Sequence, residues 1–304
     1  MPYSPQMNAR PAVRVNNGRT MPTLPALFVS HGSPMTALEP GAAGAFMQAL
    51  GPAIERLFGR PQAVLAVSAH TLARRHVLLA GAQQPAVYDF SGFPDALYRL
   101  RYDATGAPTL APRVALLMQA AGLAVQVLDQ GGLDHGIWTP LRYAWPAADM
   151  PVLPLSFNPQ DNPDALWALG QALAPLADEG VLILASGSLT HNLRLLAGTA
   201  GRPAVAAPEQ PECAAFRAWV AERAAARDWT ALRDYRRLAP HAALMHPSDE
   251  HWLPFYVAAG VGGETAVPQR LHAGLTYGVL AMDSWAFGPA AGALMQEIRA
   301  AIVA

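Results

Sequence analysis

The sequence contains no lysine and only one cysteine, and these two scarcities exclude several kinds of chemistry. All 21 basic residues are arginine, so the chain has no side-chain amine for a Schiff-base aldolase, a pyridoxal enzyme or a phosphate-binding loop. Cys213 alone cannot form an internal disulfide, a thiolate zinc site or an iron–sulfur cluster. A metal in this protein would therefore need nitrogen and oxygen ligands.

Charged residues are also scarce, at 14% of the chain, and they sum to a net charge of −1. Because a nucleic-acid-binding protein needs a basic surface, we expect no nucleic-acid partner. No apolar run reaches the roughly 18 residues of a transmembrane helix, so we expect no membrane association and a cytoplasmic location. The hydrophobic content of 52% excludes a largely disordered chain. The composition is compatible with a homo-oligomer.

Short apolar runs alternate with longer helical patterns, which is typical of an α/β layer fold. Because no linker divides the chain, we expect a single three-layer α/β/α domain over residues 21–304, after a disordered N-terminal extension at residues 1–20. The predicted strands are residues 26–30, 63–69, 77–82, 123–128, 152–157, 181–186 and 275–282. The predicted helices are residues 42–58, 113–121, 163–177, 213–226, 251–259 and 290–302.

Three of the nine histidines lie at or just beyond the carboxyl ends of predicted strands, namely His31, His70 and His191. In open α/β sheets this edge is where ligands bind. A single histidine in such a place is more often a hydrogen-bonded loop residue than a ligand. Three in the same topological position favour a histidine-rich metal site, since imidazole is the commonest metal ligand.

Three further segments carry candidate functional side chains. In HPSDEH, at the start of the predicted helix 251–259, either Glu250 or His251 could face the same site, because neighbouring helical residues point about 100° apart. In GLDHGIW, predicted as a loop, His135 has the glycine and acidic neighbours suited to a mobile acid or base. The aromatic segment YDFSGFP, residues 88–94, could wall a pocket for a flat ring or simply pack.

Six motifs in this order, SHGSP, SAH, YDFSGFP, GLDHGIW, GSLTHN and HPSDEH, resemble the class III extradiol ring-cleaving dioxygenase family, in its DOPA 4,5-dioxygenase-like branch. The resemblance covers the chain from about residue 21 onward. It implies a LigB-like three-layer α/β/α sandwich with a central mixed sheet. It also implies one non-haem metal, which is Fe(II) in the active enzyme, although Zn(II) can occupy such a site. The implied reaction uses O2 to open a small catechol, DOPA-like or related, and incorporates both oxygen atoms to give a muconic semialdehyde.

The resemblance also implies roles for individual residues. His31 and His70 match two histidine ligands of the metal, and His251 matches the third. His191 matches a histidine assigned either as a further ligand or as an acid/base, and His135 matches a histidine that faces the substrate. Family members often carry tryptophan where Thr71 stands here, and other branches use a carboxylate as third ligand, so Glu250 is an alternative to His251.

Ring opening requires one base and one acid, and two histidines are candidates. We expect His191 to take the proton of the second catechol hydroxyl and His135 to protonate an oxygen atom as the O–O bond breaks, although the two roles can be exchanged. A zinc-dependent hydrolase on a similar scaffold is the alternative function. A non-catalytic binder of a metal or a small molecule is a third hypothesis.

Overall fold

A six-stranded mixed sheet lies at the centre of the computed structural model, which describes residues 15–16, 19–20, 22–196 and 204–303. Its strands are β1 (Ala26–Ser30), β2 (Ala63–Ser68), β3 (Val152–Pro154), β4 (Val181–Gly187), β5 (Gln269–His272) and β6 (Ser284–Phe287), in the spatial order β5-β6-β1-β4-β2-β3. Strands β1 to β4 pair in parallel, β6 is antiparallel to β1, and β5 is antiparallel to β6. The predicted central mixed sheet is confirmed.

The three inner strands are apolar because both faces of the sheet are covered. Every residue of β1, β2 and β4 is buried, as expected for parallel strands between two helical layers. Alternate side chains enter different clusters, so Phe28 and Leu65 pack on one face. Leu27 and Val64 pack on the other. The hydrophobic core therefore consists of two layers, one on each side of the sheet.

In the described part of the chain, seven longer helices cover the two faces of the sheet: α1 (Gly41–Phe58), α2 (Ala111–Ala120), α3 (His135–Ala144), α4 (Pro163–Leu173), α5 (Pro211–Ala226), α6 (Pro254–Gly262) and α7 (Ala291–Val303). Helix α1 packs against α3 and α7 on one face, whereas α6 packs against α4, β1 and β4 on the other. This arrangement is the predicted three-layer α/β/α sandwich. Among the described residues, no helix has the length and apolarity needed to cross a membrane.

Short elements complete the described chain. The short helices are Asp95–Tyr98, Pro175–Asp178, Leu193–Leu196, Trp229–Arg233, Tyr235–Leu238 and Ala242–Met245, with 3-10 turns at Pro34–Ala37 and Pro108–Leu110. The short strand pairs are Val15–Asn16 with Arg19–Thr20, His76–Leu79 with Val125–Leu128, Gln83–Gln84 with Ala104–Thr105, and Leu275–Thr276 with Leu280–Ala281. The predicted disorder of residues 1–20 falls largely on residues 1–14 and 17–18, outside the described residues, and stays a prediction.

Two predicted elements near the C-terminus are wrong in their bounds. Residues 275–282 do not form one strand, because Tyr277 and Gly278 adopt positive φ angles of 57° and 73° and turn the chain into a short hairpin. The sheet strands here are instead β5 and β6, which the apolar pattern did not indicate. The helix predicted at 251–259 begins at Pro254, so Glu250 and His251 precede it.

Candidate metal centre

The carboxyl ends of β1, β4 and β2 lie side by side, since these parallel strands are neighbours in the sheet. His31 directly follows β1, and His70 lies two residues after β2. The Nε2 atom of His70 is 3.2 Å from Nε2 of His31 and 3.2 Å from Nε2 of His251. The three rings therefore direct their Nε2 atoms at one small volume, with all three ligand atoms within 4.8 Å of one another.

The orientation of His31 depends on a proline in helix α3. Pro140 has no backbone N–H, so the carbonyl of Gly136, four residues earlier, lacks its helical partner. The Ser186 hydroxyl donates to this carbonyl and lies 2.9 Å from Nδ1 of His31. Because the hydroxyl proton is used, Ser186 must accept from Nδ1–H of His31. This tautomer leaves a lone pair on Nε2 of His31.

The other two converging histidines have carboxylate partners. Nδ1 of His70 lies 3.3 Å from a carboxylate oxygen of Asp89, and Nδ1 of His251 lies 3.0 Å from Oε1 of Glu250. A carboxylate can only accept, so each Nδ1 carries the proton and each Nε2 carries a lone pair. Such oxygen partners are typical of metal-bound histidine, because they fix the tautomer and the ring orientation.

Burial keeps these imidazoles neutral. It lowers the pKa of His31 and of His251 well below the ordinary value, and the neighbouring histidines lower both further. The pKa of His70 is lowered to about 3, again chiefly by burial. Neutral rings with converging lone pairs are the form in which histidine binds a metal. The donor set of three nitrogen atoms therefore fits one transition-metal ion.

His251 reaches the site through a close backbone contact with the end of β4. The backbone N–H of Ser188 donates to the His251 carbonyl at 2.9 Å. A Cβ atom on Gly187 would lie only 2.1 Å from that carbonyl oxygen, so glycine is needed for the approach. Both candidates in HPSDEH thus lie at the site, but Glu250 accepts a hydrogen bond from His251 and is not part of the converging trio.

His191 stands beside the trio. Its ring stacks on that of His251, with centroids 3.4 Å apart and planes 8° from parallel. One ring nitrogen of His191 lies within 4.8 Å of the potential ligand atoms of Glu250 and His251. It does not belong to the cluster of nitrogen atoms that His31, His70 and His251 form. Burial lowers the pKa of His191 to about 4. His191 therefore carries a neutral imidazole at the edge of the site.

His135 lies on the first turn of α3, not in the predicted loop. Asp134 precedes this helix in extended conformation, and the glycines and proline of the segment hid the helix from the sequence pattern. Nδ1 of His135 lies 3.0 and 2.9 Å from the two Asp89 oxygens, and its backbone N–H donates to the same carboxylate at 2.9 Å. Asp89 therefore holds two histidines at once, a role that sequence reasoning missed although Asp89 belongs to YDFSGFP.

A second buried carboxylate supports the start of α3. Asp134 is 6% exposed and accepts from the hydroxyls of Ser68, at 2.7 Å, and Thr71. Burial raises the pKa of Asp134, while the two hydroxyl donors oppose that shift. Thr71, where the family pattern often has tryptophan, thus helps to tie α3 to the end of β2.

A cavity of about 530 Å³ opens directly above the converging nitrogen atoms. This volume suits a small aromatic molecule. Among the described residues, its lining consists of His31, Gly32, Ser33, Pro34, His70, Asp89, Phe90, Phe93, His135, His191, Leu193, Leu196, His251 and Leu280. All five candidate histidines therefore face one cavity, together with two aromatic side chains of the predicted aromatic segment.

Comparison with known proteins agrees with this geometry. Residues 25–282 match the family described as the catalytic LigB subunit of aromatic ring-opening dioxygenase. A Beta vulgaris protein named 4,5-DOPA dioxygenase extradiol is 35% identical over 263 residues, which cover 86% of this chain and 95% of the relative. An Escherichia coli K12 protein with the same name is 33% identical over 273 residues, covering 87% of this chain and 95% of the relative.

A solved structure supports the fold. The crystal structure of an uncharacterized protein from Escherichia coli K12 matches with a TM-score of 0.71 at 30% identity, over 87% of this chain and 100% of that one. The predicted family, fold and enzyme class are thereby confirmed. The chain belongs to the family of catalytic LigB subunits of aromatic ring-opening dioxygenases, and it is an extradiol ring-cleavage dioxygenase.

Proposed function

We propose that this protein is an Fe(II)-dependent dioxygenase that opens a catechol-type ring with O2 and releases a muconic semialdehyde. The observation that carries the proposal is the convergence of three histidine Nε2 atoms at the base of a cavity sized for one aromatic ring. The names of the relatives, 4,5-DOPA dioxygenase extradiol, support a catechol as the substrate class.

His31, His70 and His251 are the proposed metal ligands, and Glu250 orients His251 without binding the metal. Three protein ligands leave positions open for a substrate. When bound, Fe(II) supplies electron exchange between catechol and O2, which redox-silent Zn(II) cannot supply. His191 stacks on His251 and lines the cavity, which supports both roles expected for it, as a further metal ligand or as a base.

His191 and His135 are the proposed proton carriers. His191 is neutral and faces the cavity, so it can accept the proton of a catechol hydroxyl. His135 lies next to His70, and the centroids of these two rings are 4.2 Å apart. The Asp89 carboxylate accepts a hydrogen bond from Nδ1–H of His135, which leaves Nε2 as the nitrogen atom for proton exchange with the substrate.

Substitutions that remove a metal ligand and substitutions that remove a proton carrier should have different effects, which tests these assignments. In His31→Ala or His70→Ala, Fe(II) binding should be abolished, because one of three ligands is missing. In His135→Ala, the iron content should remain, and kcat should fall by about 10²–10⁴-fold, the usual range for general acid/base catalysis. His241→Asn is a matched control, since this exposed histidine has a φ of 57° that asparagine tolerates. Full activity in His135→Ala would remove His135 from the mechanism.

A further inference from the structure

Large apolar side chains form part of the cavity lining beside the histidines. Phe90 and Phe93 contribute one side, with ring centroids 5.4 Å apart. Leu193 and Leu196, from the short helix Leu193–Leu196, contribute another. Leu193 is 59% exposed, so much of this large apolar side chain is not covered by the described residues. A molecule in the cavity would bury this surface.

No lysine or arginine side chain is among the described residues that line the cavity. The whole chain has no lysine, and none of the described lining residues is an arginine. Several arginines are paired elsewhere, for example Arg217 and Arg270 with the buried Asp283. A carboxylate on a substrate would therefore find no lysine or arginine partner among these lining residues, and desolvating a charge without such a partner is unfavourable.

The single carboxylate in the described lining is already engaged. Both oxygens of Asp89 lie within 3.0 Å of Nδ1 of His135, and one lies 3.3 Å from Nδ1 of His70. Asp89 would repel an anionic substituent of the substrate. About three of its four acceptor positions already serve the two histidines, so it offers an ammonium group little capacity for pairing. Together with the apolar lining, this makes the cavity unfavourable for a charged substituent of either sign.

We propose that the preferred substrate is an uncharged catechol with a short apolar substituent, which lies between Phe93 and the leucines of the Leu193–Leu196 helix. This inference rests on the proposed function and narrows its substrate class. It differs from what the relatives' names would suggest, since DOPA carries both a carboxylate and an ammonium group. Leu196 and Phe93 are the proposed specificity-determining residues.

The test compares catechols of similar size and different charge. With Fe(II)-loaded protein, kcat/KM should be at least about tenfold higher for 4-propylcatechol than for 3-(3,4-dihydroxyphenyl)propanoate, 3-(3,4-dihydroxyphenyl)propylamine or DOPA. Equal or greater kcat/KM for a charged compound would overturn the inference while leaving the ring-opening function intact. Oxygen uptake with none of the four would instead count against the proposed function.

Binding gives a readout that does not depend on turnover. Calorimetric titration of the Zn(II)-loaded protein should show 4-propylcatechol binding at least about tenfold more tightly than its propanoate counterpart. Equal affinities, or tighter binding of the propanoate, would contradict the inference even if no compound is turned over.

A charge-introducing variant tests the location of the substituent. Leu196→Arg should raise kcat/KM for the propanoate relative to 4-propylcatechol by about tenfold or more, because a guanidinium pairs well with a carboxylate. Leu116→Arg, on an exposed leucine of α2, is the control and should leave the ratio unchanged. An unchanged ratio in Leu196→Arg would place the substituent elsewhere and contradict this part of the proposal.

Two natural arginines are tested in the same way. Arg194 lies between the lining leucines in sequence but is not a lining residue, and Arg202 lies outside the described residues. Arg194→Gln and Arg202→Gln should both keep the preference for the uncharged compound. A selective fall in kcat/KM for the propanoate in either variant, with that for 4-propylcatechol unchanged, would show that this arginine pairs with the substrate carboxylate, and the inference would be wrong.

Discussion

At each of the three converging histidines, Nδ1 faces an oxygen atom of the protein, so Nε2 is left for the metal. Two of these oxygen partners could not be assigned from sequence, because they come from distant segments. Ser186 lies 155 residues from His31, and Asp89, the partner of His70, lies in a different segment of the chain. Glu250, adjacent to His251, could be singled out, but its role as hydrogen-bond acceptor and not ligand depends on side-chain direction.

Asp89 offers the sharpest test at this scale. In Asp89→Asn, one carboxylate oxygen becomes an NH2 group, which cannot accept a hydrogen bond. The remaining oxygen can then serve Nδ1–H of His70 or of His135 in good geometry, but not both. We expect Fe(II) affinity to fall by about 10–100-fold, as is typical when the partner of a ligand is removed, and kcat to fall as well. Competitive metal titration and oxygen uptake measure the two effects.

The control for Asp89→Asn is Asp95→Asn, an exposed aspartate at the start of the short helix Asp95–Tyr98. It should match the wild type in both assays. Wild-type iron affinity and kcat in Asp89→Asn would show that the tie between His70 and His135 is dispensable.

At the scale of elements, the buried strands were predictable and the edges of the sheet were not. The sequences of β1, β2 and β4 are nearly continuous apolar runs because both faces of these strands are covered. Their ends could therefore be located in the sequence, and with them His31, His70 and His191. Strand β6 is only four residues long and follows the buried charge of Asp283, which is neutralised by arginines from elsewhere in the chain. Helix α3 contains Gly136 and Pro140, so its composition resembles a loop.

Two glycines set the spacing between helices α4 and α6. A Cβ atom on Gly260 would lie 2.2 Å from the carbonyl oxygen of Trp167, and one on Gly170 would lie 2.2 Å from that of Val257. Gly260→Ala should therefore force the helices apart and lower the free energy of unfolding by about 1–3 kcal/mol. Urea unfolding of the metal-free protein measures this change.

Gly292→Ala is the control for Gly260→Ala, because the added methyl group would point into free space. No atom of another described part of the structure lies within 4 Å of a Cβ built on Gly292. Because Gly292 lies in the first turn of α7, alanine should raise the free energy of unfolding by about 0.5 kcal/mol or less through helix propensity. The two variants should thus have opposite signs. A neutral or stabilising Gly260→Ala would refute the close packing of α4 on α6.

At the scale of the whole molecule, buried neutral histidines make stability depend on pH. His246 is fully buried, its Nε2 donates to the Leu189 carbonyl at 2.9 Å, and burial lowers its pKa to about 4. Between about pH 6.5 and pH 4 the unfolded chain binds a proton that the folded chain does not. The stabilising contribution is therefore full above about pH 6.5 and is lost as the pH falls toward 4.

His246→Gln isolates this contribution, since glutamine can still donate to Leu189 but does not titrate in this range. Between pH 7.5 and pH 5.0, the wild type should lose about 2 kcal/mol more unfolding free energy than the variant. Urea unfolding of the metal-free protein at both pH values provides the comparison. The same loss in both proteins would show that His246 does not contribute to acid sensitivity.

The most direct test of the central claim is oxygen uptake by protein purified without oxygen and loaded with either Fe(II) or Zn(II). Because only iron can exchange electrons with catechol and O2, the iron form should consume one O2 per catechol opened and yield a yellow product. The zinc form should show little activity. Hydrolysis of a test ester by the zinc form, with no oxygen uptake by the iron form on any catechol, would contradict the account and favour a hydrolase.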